Sequence, residues 1–91
     1  MTGYRIFVYG RVQGVGFRYY TQRYALAKDL RGSVQNCDDG SVKIYVEGNK
    51  RSLDVFLAKL QTDLVPMAQV TRVEVEAYQE VGMFKTFELR Y

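Results

Sequence analysis

Residues 32–47, Gly32-Ser33-Val34-Gln35-Asn36-Cys37-Asp38-Asp39-Gly40-Ser41-Val42-Lys43-Ile44-Tyr45-Val46-Glu47, carry the strongest local signal in the chain. Asp39-Gly40 is a tight-turn dipeptide that falls between two runs containing β-branched residues. The reading is a hairpin, with a strand over 32–36, a turn over 37–40 and a strand over 41–47. In the second strand Val42, Ile44 and Val46 share one face, and Lys43, Tyr45 and Glu47 share the other. That alternation belongs to a sheet with one buried side. A lone hairpin is marginal in water, so the flanking segments must cover its apolar face.

Helical signals lie on both sides. Phe17 to Leu30 contains no Gly or Pro and is rich in helix formers. After the hairpin, Gly48-Asn49 breaks the strand, and Asn49 is a suitable N-cap. Leu53, Phe56, Leu57, Leu60 and Leu64 then form one apolar stripe at helical spacing, with Pro66 expected to stop the helix. Outside the helices, residues 4–9 and 70–78 read as strands, the latter with Val73, Val75 and Ala77 on one face. Residues 85–91 read as a last short strand. The order β-α-β-β-α-β plus a final strand predicts an α+β fold, the ferredoxin-like split βαβ sandwich. It has one antiparallel sheet with two helices on one face. Ile6, Val8, Val42, Ile44, Val46, Phe56, Leu57, Leu60, Val73 and Val75 are the expected inward residues. Phe7, Tyr9 and Tyr45 are expected on the open face.

A length of 91 residues suits one domain over 1–91. No apolar run has the length of a membrane-spanning helix, and the N-terminus lacks a secretory pattern, so the expectation is a cytoplasmic protein without a membrane partner. Cys37 is the only cysteine, which excludes an internal disulfide. The chain has no histidine. That removes the commonest general base, the usual partner of a nucleophilic Ser or Cys, and the commonest metal ligand. Chemistry must then run on Arg, Lys, amides, carboxylates and backbone groups. The net charge of +3 mildly favours anionic partners. The charges are spread along the chain, as on a solvated mixed surface, and do not point to nucleic acid.

Between the first strand and the first helix stands Gly10-Arg11-Val12-Gln13-Gly14-Val15-Gly16-Phe17-Arg18. Gly10 to Gly16 reads as a loop. Glycines let successive N–H groups point into one concavity, and such nests bind anions. The helix that follows adds its positive end. Arg18, in the first turn, could bind the same anion through two parallel hydrogen bonds. The nucleotide P-loop is excluded, because no Gly-Lys-Ser/Thr closes the segment. A tight connection with a surface arginine is the other reading. It leaves a cation at the positive end of a helix, a conflict that a bound anion would remove.

The segment 10–18 resembles the acylphosphatase signature along its whole length. Gly32, Val34, Asn36, Asp39, Gly40, Ser41 and Val42 resemble that family's second block, and Val65-Pro66-Met67-Ala68-Gln69-Val70 with Val73-Glu74-Val75 resembles its third. The resemblance implies the split βαβ fold. It also implies hydrolysis of the carboxyl–phosphate bond of acyl phosphates to carboxylate and inorganic phosphate, with no metal and no cofactor. Arg18 would bind the phosphoryl group. Backbone amides of Gln13, Gly14, Val15, Gly16 and Phe17 would complete the cradle, and Asn36 would orient the attacking water. Inorganic phosphate would be product and inhibitor, and the enzyme a monomer. The chain departs from the family pattern at Asp29, where Gly usually ends the helix, at Lys28, usually apolar, and at Ser33, often aromatic. Similar domains begin large carbamoyl-transfer maturation enzymes. With the fold complete by Tyr91, a free-standing enzyme is expected.

The chemistry suits these residues. A carboxylate leaves without protonation, so no general acid is needed. In phosphoryl transfer the protein mainly positions groups and stabilises charge. With no histidine, a substrate phosphate oxygen is the expected proton acceptor. Cys37 reads as a spectator thiol, and Asp38 and Asp39 as turn residues rather than metal ligands. The alternative is a non-catalytic RNA- or phosphate-binding module with Phe7, Tyr9 and Tyr45 as a stacking platform. Residues 41–47 lack the Gly-Phe-aromatic pattern such modules carry. Acetyl, carbamoyl, aspartyl and glyceroyl phosphates all remain open as the physiological substrate.

Overall fold

The protein is described by a computed structural model covering residues 1–79 and 81–91. Its elements are β1 (Thr2–Arg11), α1 (Phe17–Ala27), β2 (Arg31–Asn36), β3 (Val42–Gly48), α2 (Lys50–Leu60), β4 (Gln69–Tyr78) and β5 (Phe87–Arg90). The sheet order is β4-β1-β3-β2-β5. The hairpin that anchors the sequence reading is present, with Asn36 opposite Val42 and Val34 opposite Ile44. The expected antiparallel sheet holds for four strands. The fifth makes the sheet mixed, because β5 lies parallel to β2 on the edge opposite β4.

The core forms where the alternation said it would. Ile6, Val8, Val42, Ile44 and Val46 point from the sheet onto Phe17, Ala25, Leu53, Phe56 and Leu60 of the helices. Val73 and Leu57 are half-buried against this cluster. Val75 departs from expectation and is 43% exposed. It sits opposite Ile6 on the correct face, but β4 is an edge strand, and α2 lies over β3 and β1.

Several boundaries move for identifiable reasons. Gly10 and Arg11, expected in the loop, extend β1 by pairing with Val70 and Gln69 beyond a bulge at Tyr9/Gly10. α1 stops at Ala27, three residues early. Asp29 adopts φ 56°, and the turn lets the Leu30 N–H donate to the Ala25 carbonyl at 2.9 Å. This is the left-handed helix ending, made by aspartate where glycine is usual. α2 starts as read, with the Ser52 N–H donating to Asn49 Oδ1 at 2.8 Å. It ends at Leu60 rather than at Pro66. The N–H groups of Asp63 and Leu64 both return to the Lys59 carbonyl, so Leu64 reaches the core from a turn.

On the open face, Phe7, Tyr9 and Tyr45 are half-buried. The Arg72 guanidinium lies 4.1 Å from the Tyr9 ring centroid, and Arg5 pairs with Glu76 at 2.9 Å. Arg72 on Tyr9, Arg5 on Phe7 and Tyr78 against Tyr45 thus occupy the aromatics proposed for a stacking platform. Glu47, fully buried on this face, accepts from the Tyr78 hydroxyl and the Gly82 N–H, each at 3.0 Å. Gly3 stands between Glu47 and Tyr78 in register, and a Cβ there would lie 2.4 Å from the Tyr78 ring. The missing side chain is what lets Tyr78 reach across β1.

Candidate active site

The loop leaving β1 turns through Gly14 (φ 75°) and Gly16 (φ 77°), both in the left-handed region that side chains disfavour. Gly16 occupies the N-cap of α1 and offers no side-chain cap, and the first turn holds no acidic residue. α2, by contrast, is capped by Asn49. Among the described residues, no protein acceptor takes the backbone N–H groups of Gln13 to Phe17. The positive end of α1 is therefore open, together with a run of free donors.

These groups border a cavity of about 340 Å³. Gly14, Gly16 and Phe17 form one wall, Arg18 and Asn36 face it from the helix start and the end of β2, and Val12, Tyr19, Leu89 and Tyr91 complete the lining. Among the described residues no carboxylate side chain lines it, and Arg18 is its one charged side chain. The structure thus places Arg18 and Asn36 on one cavity with three of the five expected cradle residues. Gln13 and Val15 are not among the lining residues. Val15 packs partly against the core.

Arg18 resolves its position at the helix start without a carboxylate. Its Nη1 donates to the Arg90 carbonyl at 2.8 Å, and its Cζ lies 4.8 Å from the Tyr91 ring centroid. One corner of the guanidinium is held by the protein, and its remaining donors are left for a ligand. Asn36 ends β2, and its Oδ1 is buried without a protein hydrogen-bond donor. Asn36 lines the cavity, while this oxygen is shut off from solvent.

Two features support this geometry and were not read from the sequence. The Gln13 side chain donates from Nε2 to the carbonyls of Cys37 and Ser41, both at 2.8 Å. It straps the glycine loop to the hairpin that carries Asn36. Gln22 Nε2 donates to the Phe87 carbonyl at 3.0 Å, tying α1 to β5. The acceptors are backbone carbonyls, which carry no residue-type signal. Asp39 behaves as a turn residue. Its Oδ1 accepts from the Ser41 hydroxyl at 2.6 Å and the Ser41 N–H at 2.9 Å, which lowers its carboxyl pKa below the ordinary value. Among the described residues no group of three His, Cys, Asp or Glu could hold a metal ion.

Comparison with known proteins agrees with this fold. Residues 4–89 match the family profile described as Acylphosphatase. An acylphosphatase of Bacillus licheniformis is 47% identical over 91 residues, covering all of both chains. A crystal structure of acylphosphatase from Bacillus subtilis superposes with a TM-score of 0.94 at 40% identity, again over all of both chains. A full-length HypF, solved in its phosphate- and nucleotide-bound form, matches the whole of this chain with a TM-score of 0.87 at 25% identity, over 12% of its own length.

Proposed function

Because this chain belongs to the acylphosphatase family, enzymes that hydrolyse acyl phosphates, we propose that the 340 Å³ cavity is its active site, with Arg18 and Asn36 as the catalytic side chains. The phosphoryl group of the substrate sits between the amides of residues 13–17 and the free donors of Arg18. These groups meet the charge on its equatorial oxygens. Asn36 holds a water in line with the phosphorus. The water attacks, the P–O bond to the acyl group breaks, and the carboxylate leaves without being protonated. The proton of the attacking water passes to a phosphate oxygen, so no histidine is needed. Inorganic phosphate remains in the same cradle as product. The enzyme acts as a cytoplasmic monomer, one domain over 1–91, without a metal ion.

The observation that carries this reading is the uncapped start of α1, open to the same cavity as Arg18 and Asn36. The test is hydrolysis of benzoyl phosphate in the presence of a chelator, with inorganic phosphate added. Retained turnover and competitive inhibition are expected. Loss of activity with chelator, or non-competitive phosphate inhibition, would overturn the reading.

A further inference from the structure

We infer that Gln22 is a positioning residue for Arg18, acting through β5. The inference rests on the assignment of Arg18 to the phosphoryl group. Two side chains of α1 donate to β5 among the described residues: Arg18 to the Arg90 carbonyl at 2.8 Å and Gln22 to the Phe87 carbonyl at 3.0 Å. Arg18 and Gln22 lie four residues apart, one above the other on one helix face. β5 is a four-residue edge strand, held in the sheet on one side by β2 alone. Phe87 anchors it in the core, and the two α1 donors set where its backbone lies beside the helix. The Arg18–Arg90 bond forms only when the end of β5 sits at a fixed place beside the start of α1. Gln22 sets that place one turn away. Arginine has many rotamers, and a guanidinium already held at one corner loses less freedom when it takes up an anion. Gln22 would thus act on ligand affinity and leave the attacking water to Asn36.

The test is Gln22→Met, which keeps the side chain's length and removes the donor. Both the KM for benzoyl phosphate and the inhibition constant for inorganic phosphate should rise together, by about three- to tenfold, the effect of one such hydrogen bond. The kcat should stay within about twofold, as for lost ground-state binding. Gln22→Lys keeps a donor and should keep the wild-type KM. In an Arg18→Lys background, where the bond to Arg90 is already disturbed, Gln22→Met should add less than about twofold. An unchanged KM in Gln22→Met, an equal loss in both backgrounds, or a Gln22→Lys enzyme as weak as Gln22→Met would overturn the inference. Arg18→Lys binding phosphate as tightly as wild type would instead overturn the assignment of Arg18 itself.

Discussion

At Asn36 the proposed function rests on one carboxamide that makes no protein hydrogen bond through its buried Oδ1. Asn36→Ala should lower kcat by about 10²–10³ and leave the KM nearly unchanged, as for other preorganised donors and acceptors that act in the transition state. Steady-state kinetics with benzoyl phosphate measure both. Gln13 acts differently, because its two donors hold the glycine loop to residues 37 and 41. Gln13→Leu would leave both carbonyls without that partner, with an expected loss of about 1–3 kcal/mol in urea unfolding and a parallel fall in kcat/KM. That Arg18 and Asn36 would share one cavity was legible in the sequence, Arg18 from its place after the glycine loop and Asn36 from the family resemblance. The strapping role of Gln13 was not, since its acceptors are main-chain oxygens 24 and 28 residues away.

Among the elements, both hairpin strands and the two helix starts could be read from alternation, stripe and cap. The helix ends could not. α2 closes on the Lys59 carbonyl before the apolar stripe runs out, so the stripe pointed past the true end to Pro66. The end of α1 depends on Asp29 holding φ 56°, a conformation that composition does not announce. A left-handed aspartate carries strain that glycine lacks, offset in part by glycine's greater freedom when unfolded. Asp29→Gly should therefore raise stability by about 0.5 kcal/mol, with unaltered KM, as read by thermal or urea unfolding. β5 was found as a strand but not as a parallel one. Its four residues pair with β2 through backbone alone, and the choice of edge is made by the tertiary fold.

Across the whole molecule the two sheet faces have separate work. The helix face holds the core and leads, at the ends of β1 and β2, to the cavity. The open face carries the buried Glu47, which accepts from Tyr78 and Gly82. Burial, together with the neighbouring Glu47 carboxylate, raises the Tyr78 phenol above its ordinary value of 10.0. A group whose folded pKa is raised stabilises the fold below its unfolded pKa and loses that contribution as pH rises beyond it. Urea midpoints should therefore fall from about pH 10 upward, near the unfolded tyrosine pKa, and fall less steeply in Tyr78→Phe. Equal slopes for the two proteins would show that Tyr78 is not the group responsible. The central claim, that the open start of α1 and Arg18 grip one tetrahedral anion beside Asn36, is tested most directly by NMR titration with inorganic phosphate. The account expects saturable shifts concentrated at the backbone amides of Gln13 to Phe17, the Arg18 guanidinium and the Asn36 carboxamide, all lost in Arg18→Ala. Unmoved loop amides, or shifts that persist without the Arg18 side chain, would contradict it.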